Sequence, residues 1–374
     1  MKLIKKICIY IIVVLTSNNI LAQSDKIRIK ELFTIGNKLN DPKEYIFVLP
    51  KTIKVDSKNN FYVSDRNGTE VREFNSSGKF LHKYGLLGKG PGEFMDITSF
   101  CLNRNDNLVI FDRQLQRFTI INKINNSFKT LPTPGHILME PYYMAQLNNG
   151  NYLLYDIDLV NKNNILFEVI NGTFNYISQY FLSSYEVWKK DDSFLNEQKR
   201  LNSLNIDVLD STQLIVSPKY YDGYIYHLIK ENGKWQVNQM SGYIPPLKSY
   251  TLDNSLTSDE IVNNKLKAII LSGARGKYKA IINNTSAGVF FYERKYIINF
   301  ILNNNNFGKG NLSLDVFNMQ GKYLGNYIIK KFEKKDTPIF EYRVLCKDLE
   351  ENFYLTDFEN EIPVIRKIKL LMNF

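Results

Sequence analysis

The chain predicts an all-β fold, a six-bladed β-propeller of four-stranded antiparallel blades, closed by pairing of an N-terminal strand with the C-terminal blade. Three observations predict it. A unit of short strands and tight turns recurs: Asp65 to Asp112 is 47 residues and Asp112 to Asp156 is 44, in the range of about 40–50 for propeller repeats. The pattern F-N-x-x-G-K-aromatic-L stands at Phe74–Leu81 and again at Phe317–Leu324, too long a match for chance. The C-terminus offers three strands for its blade, while Ile27 to Ile35 is an orphan at the other end. Joining them removes both open edges. A β-sandwich would leave the period unexplained.

The N-terminus reads as an export signal. Lys2, Lys5 and Lys6 precede an apolar run from Ile7 to Leu15, and Ile20-Leu21-Ala22 before Gln23 is the expected cleavage site. The apolar run is too short for a bilayer, which needs about 20 residues. Cys8 starts the run and does not follow a cleavage box, so no lipid anchor is expected. The domains are then a cleaved signal peptide, 1–22, and a propeller, 23–374, secreted or periplasmic. Without the three signal lysines the net charge falls from +10 to +7. That excess is spread over a surface rich in Lys and Asn and argues against nucleic-acid binding.

The first blade is the clearest. Thr52–Val55, Phe61–Val63, Thr69–Phe74 and Lys79–Tyr84 are its strands. Asp56–Asn60, Asp65–Gly68 and Asn75–Gly78 are turns rich in Asp, Asn and Gly. Blade two covers about 95–135, with Phe100–Leu102 as its inner strand. Blade three covers about 142–181, blade four about 202–243, and blade five about 278–330. Blade six holds Tyr342–Cys346, Phe353–Asp357 and Pro363–Leu370. Cys101 and Cys346 fall in inner strands of non-adjacent blades, so both are expected as buried free thiols. Insertions at about 182–201 and 244–277 break the period. The second contains Thr257-Ser258-Asp259-Glu260, a capping box, then Ile261, Leu266, Ile269 and Ile270 before Gly273. That pattern predicts a helix at about 258–271 over one face of the disc.

Gly88-Lys89-Gly90-Pro91-Gly92-Glu93-Phe94, after Tyr84-Gly85, resembles the G-x-G-P-G-E-F signature of NHL-type repeats. Phe61-Tyr62-Val63-Ser64-Asp65 resembles the repeat's second strand. The whole chain is similar to six-bladed propellers common among secreted Bacteroidetes proteins, a group with no general assigned activity. The glycine loop is no phosphate cradle. Walker A needs Ser or Thr after Gly-Lys, where Gly90 stands, and Pro91 and Gly92 oppose a Rossmann helix.

No catalytic motif emerges. His82, His136 and His227 are scattered, and no C-x-x-C, H-x-x-x-H or G-x-S-x-G is present. Asp65-Arg66, Asp112-Arg113 and Glu293-Arg294 read as equivalent ends of second strands. Three such arginines on one face would suit a carboxylate or sulfate. A local acid–arginine turn contact, repeated by descent, explains the pattern as well. The candidate ligand-binding residues are Arg66, Arg113 and Arg294, Lys89 and Glu93 in the glycine loop, and Trp188 in the first insertion. Tyr220, Tyr221 and Tyr224 read as blade packing. The expectation is a monomeric, non-catalytic binding or scaffold protein of the bacterial cell envelope that recognises a protein or glycan through a loop face. The alternative is a lactonase-like hydrolase or lyase. Its likeness leaves calcium, held in the central channel by scattered carboxylates and Asn, as the one cofactor open.

Overall fold

The computed structural model describes residues 26–373 apart from 37–40, 67, 134–140, 159–162, 170–202, 248–249, 253–254, 256, 258, 261–267, 274–275, 306–308, 333–341 and 361. The signal segment 1–22, His136, the fourth strand expected in blade three, and the insertion 182–201 with Trp188 lie outside these residues.

Strand β1 (Ile27–Ile35) comes first. Blade one holds β2 (Pro50–Val55), β3 (Phe61–Asp65), β4 (Val71–Phe74) and β5 (Phe80–Tyr84). Blade two holds β6 (Ile97–Leu102), β7 (Leu108–Asp112), β8 (Arg117–Asn122) and β9 (Ser127–Pro132). Blade three is described through β10 (Tyr143–Gln146), β11 (Tyr152–Asp158) and β12 (Asn163–Val169). Blade four holds β13 (Leu204–Val208), β14 (Gln213–Pro218), β15 (Tyr224–Glu231) and β16 (Lys234–Ser241). A separate sheet of β17 (Tyr250–Leu252), β18 (Ala268–Gly273) and β19 (Gly276–Ile282) follows, in the order β17-β19-β18. Blade five holds β20 (Asn284–Tyr292), β21 (Tyr296–Asn305), β22 (Lys309–Asn318) and β23 (Tyr323–Phe332). Blade six holds β24 (Arg343–Lys347), β25 (Phe353–Glu359) and β26 (Ile362–Met372), with β1 as its outer strand.

Closure follows the expected pairing. Ile27 stands opposite Met372 and Ile35 opposite Ile365. Arg366 of β26 joins Asp357 and Glu359 of its own blade to Glu31 of β1, so an ion cluster links the two ends of the chain.

The second strand of each blade explains its composition. Side chains alternate across a strand, and a blade packs both faces on neighbours, so no face of the second strand meets water. Phe61 and Val63 pack against Tyr354 of blade six, and Tyr62 packs against Leu108 and Ile110 of blade two. Val109 and Phe111 pack toward blade three, Leu153 and Tyr155 toward blade four, and Ile215 toward blade five. Ile298 and Phe300 meet Phe353 and Leu355 of blade six, which completes the ring. Phe61 and Tyr354 hold ring centroids 4.7 Å apart across the interface of blades one and six.

The turns repeat atom by atom. In Asp56–Asn60, Asn103–Asn107 and Asp348–Asn352 the first side chain accepts the N–H groups of the third and fifth residues. The fourth residue, Asn59, Asp106 or Glu351, takes positive φ. The repeated F-N-x-x-G-K motif makes the same hairpin twice: Asn75 and Asn318 accept two N–H groups each, and Gly78 and Gly321 sit at φ +88° and +81°. Each hairpin follows a register shift at its Phe, between Glu73 and Phe74 and between Val316 and Phe317.

Two expectations are corrected. The 258–271 helix is not what the second insertion forms over its last part. The capping box does close, since Glu260 N–H donates to Thr257 Oγ1 and Thr257 N–H to the Glu260 carboxylate. Yet Ala268–Gly273 is a strand, paired with β19 so that Gly273 stands opposite Gly276. An Ile-Ile-Leu run with glycines at the reversal favours a hairpin once a partner strand is present. Blade five begins at Asn284, not near 278, because Gly276–Ile282 belongs to the inserted sheet.

Candidate functional site

The topology separates two faces. A first strand runs away from the connection that enters its blade. The inter-blade connections and the turns between second and third strands therefore share one face, the upper. The turns between first and second strands lie on the lower face. The inserted sheet sits in the connection from β16 to β20, hence on the upper face.

The six first strands surround an axial cavity of about 190 Å³. Its wall is made mainly from the upper parts of these strands. Neutral polar groups come from Thr52, Ser99, Ser203, Asn205, Thr285 and Ser286, and rings from Tyr142 and Tyr143. Four cations, Lys51, Lys54, Lys219 and Arg343, stand in the wall. Among the described residues no carboxylate and no histidine lines it. The polar wall is fixed by its own bonds. Asn205 Nδ2 donates to the carbonyl and the hydroxyl of Ser286, each at 3.0 Å, and Ser286 Oγ donates to Asn299 at 2.6 Å. Ser99 Oγ is buried and has no hydrogen-bond partner among the described residues.

Near the lower end, the registers place Lys54, Cys101, Ala145, Asp207 and Cys346 at one equivalent position of five first strands. Lys54 lines the cavity yet lies deep in the disc, with Nζ 4.3 Å above the Tyr143 ring. Burial lowers its pKa, against the opposing pull of Cys101, Cys346 and Asp207. Burial raises the Asp207 carboxyl to about 6, opposed by Lys347, by the N–H groups of Phe291 and Val208, and by Lys54. Phe291 N–H donates to Asp207 Oδ2 at 3.0 Å. Burial pushes the Cys101 thiol up to about 12 and Cys346 higher still, so both are protonated, weak nucleophiles at neutral pH. Both cysteines are free, as their separation in the blade order implies.

A channel calcium does not fit these residues. Among the described residues no three His, Cys, Asp or Glu side chains converge, and the wall is cationic where a dication needs oxygen anions.

The predicted site residues scatter. Arg66 and Arg113 follow second strands and lie exposed on the upper face. Arg113 pairs with Asp96 at 2.5 Å. The acids beside them are structural. Asp65 accepts the N–H groups of Val48 and Leu49 and pairs with Arg72, and Asp112 accepts Met95 N–H. Glu293-Arg294 is the positive-φ turn between β20 and β21, on the lower face. The three arginines therefore form no ring: counting blade five from about 278 shifted its strands by one. Glu93 folds back inside the glycine loop to accept Gly90 N–H at 2.7 Å. Lys89 is exposed on that loop, whose carbonyls at Lys89, Gly90 and Glu93 accept the Arg117 guanidinium. Tyr220 and Tyr221 are buried, as packing residues should be, and Tyr224 is exposed. The wall cations were missed because each is a single Lys or Arg in or near a short strand. The available signal was Lys51-Thr52-Ile53-Lys54, a first strand with two cations where apolar residues would suffice.

Among curated proteins none matches the sequence. A member of the duf4221 family from Bacteroides vulgatus shares the fold at 11% identity and a TM-score of 0.54, over 94% of this chain and 100% of that one. A protein described as exported, from Bacteroides fragilis, does so at 13% identity and a TM-score of 0.52, over 93% and 96%. At such identities the likeness is one of fold. The DUF5128 family, described as a 6-bladed beta-propeller, matches residues 38–355. That match spans the greater part of the blades described above, and the chain belongs to this family of 6-bladed beta-propellers.

Proposed function

We propose that the protein is a non-catalytic binding protein of the bacterial cell envelope that takes a protein or glycan ligand at the mouth of its axial cavity. The observation that carries this reading is the cavity wall. All six blades contribute to it, it is polar and cationic, and it includes no carboxylate or histidine to serve as acid or base. Its lining comes mainly from the upper parts of the first strands, toward the face that carries the inserted sheet, and long insertions on a rigid scaffold are where binding residues gather. Arg66, Arg113 and Lys89 lie on that face and would extend a ligand's contacts outward, while Arg294 would take no part. Residues 1–22 would direct export before cleavage, and among the described residues no helix is long and apolar enough to cross a membrane.

The test is capture on a glycan array and by cross-linking to envelope proteins, comparing the mature chain with Ser203→Trp, which plugs the mouth. Capture by the first and not by the second, at unchanged melting temperature, is the expected result. Capture that ignores the plug would overturn the reading. So would turnover of lactones that EDTA abolishes.

A further inference from the structure

Resting on the binding reading above, we propose that Lys54 is a covalent anchor at the deep end of the axial cavity. Its amine forms a reversible imine with the carbonyl group of a small aldehyde or ketone, the open-chain reducing end of a sugar included.

Placement comes first. Lys54 belongs to β2, and the groups around it come from four other blades: Cys346 of blade six, Cys101 of blade two, Tyr143 of blade three and Asp207 of blade four. Lys54 lines the cavity and keeps part of its surface accessible there, so a small molecule in the cavity meets this side chain.

Lys54 differs from other lysines that the fold buries in having no polar partner. Lys367 pairs with Asp348 at 2.7 Å, and Lys123 pairs with Asp56 at 3.5 Å and donates to the Tyr62 hydroxyl. No hydrogen bond or ion pair among the described residues holds the Lys54 amine, which stands over the Tyr143 ring. A buried ammonium with no carboxylate or hydroxyl against it is costly, and burial lowers the Lys54 pKa. Asp207, ionised at neutral pH, pulls the other way, as do Cys101 and Cys346. Asp207 is no part of the cavity wall, and the N–H groups of Phe291 and Val208 and the charge of Lys347 already draw on it. The net direction is toward the free amine.

A desolvated free amine is a nucleophile for carbonyl carbon. Nζ attacks, and the C–N bond forms as the C=O π bond opens. Two protons pass from nitrogen to oxygen through solvent, and the oxygen leaves as water. The resulting C=N bond is neutral, so no ammonium is left buried, and no oxidant or reductant is consumed. The surroundings hold that product. The Cys101 and Cys346 thiols are protonated and do not compete for the carbonyl. Among the described residues no carboxylate or histidine lines the cavity to activate water against the C=N bond. The anchor thus binds and does not turn over. Size suits a small carbonyl compound: about 190 Å³ is less than the roughly 300–1,000 Å³ of sites for drug-sized ligands.

The experiment is reductive trapping. The mature protein is incubated at pH 7 with glycolaldehyde, pyruvate or galactose and sodium cyanoborohydride, then read by intact mass and peptide mapping. We expect a carbonyl probe to give a single adduct at Lys54 before any surface lysine is labelled. That labelling should reach its plateau at a lower pH than labelling of surface lysines. Lys54→Met should remove the adduct. Ser203→Trp should block trapping at Lys54 and leave surface labelling unchanged, and this second variant keeps the test sound if the first does not fold. Labelling of surface lysines with none at Lys54, a Lys54 pH profile like theirs, or trapping that ignores the plug would overturn the proposal. If Lys54 is not trapped while Ser203→Trp still abolishes ligand capture, the mouth is the binding site and only the covalent anchor falls. If Lys54 is not trapped and the plug changes no capture, both readings fall together.

Discussion

The second strands and the first strands of this propeller are built alike and filled differently. Phe61–Asp65, Leu108–Asp112 and Phe353–Asp357 occupy the same place in three blades, and each reads as four buried residues ending in Asp. One strand inward, the equivalent position holds Lys54, Cys101, Ala145, Asp207 and Cys346. The second strand is clamped between two neighbours and is buried on both faces, with small Ser64 and Thr356 as its polar members before the Asp. The first strand borders the cavity and is free to vary. Sameness among blades therefore marks folding, and difference marks the site.

Substitutions at the two kinds of position sharpen this contrast. Phe61→Ala removes a fully buried ring that packs on Phe74 and Tyr354. It should cost about 3–5 kcal/mol in urea unfolding. Asp65→Ala strands the Val48 and Leu49 N–H groups and takes one carboxylate from the buried Arg72, which keeps Glu70 and the carbonyls of Glu44 and Ile46. The expected loss is about 3 kcal/mol. Asp112→Ala should be milder, since Asp112 accepts backbone N–H groups and pairs with no buried arginine like Arg72 in the described contacts. A buried acid of a first strand should behave in the opposite way. Burial raises the Asp207 pKa from 3.8 to about 6. The native state then binds more protons than the unfolded chain between those values, so stability falls as pH rises through that window. Above about pH 6 the cost of the buried charge is fully present. Asp207→Asn should thus stabilise the protein at pH 7, by up to about 3 kcal/mol for a shift of this size, and leave it unchanged below pH 3.8. The smallest effect belongs to Arg294→Ala on the lower face, within about 0.5 kcal/mol by thermal melts and silent in ligand capture.

How far the sequence could be read follows the same division. The period, the repeated F-N-x-x-G-K hairpin and the closing strand were legible because they rest on local turn chemistry and on strands with a single packing solution. Asp56, Asn103 and Asp348 make one Asx turn, and any of them predicts the others. Blade five was misjudged by a strand because Gly276–Ile282 has strand character without belonging to a blade. The helix expected at 258–271 is corrected over its last part in the same segment: its capping box is sound locally, but sheet pairing claims the residues from Ala268 onward. The cavity was illegible for a different reason. Its cations are single residues in distant segments, and only the ring geometry makes them neighbours.

The account stands on the claim that first-strand residues serve a ligand and second-strand residues serve the fold. The direct test measures melting temperature and ligand capture on two variants, Ser203→Trp at the cavity mouth and Phe61→Ala in a second strand. The account predicts that the mouth variant keeps its melting temperature and loses capture. It predicts that the Phe61 variant melts earlier and, while folded, captures as the parent does. A mouth variant that captures normally, or a Phe61 variant that loses capture while fully folded, would contradict it.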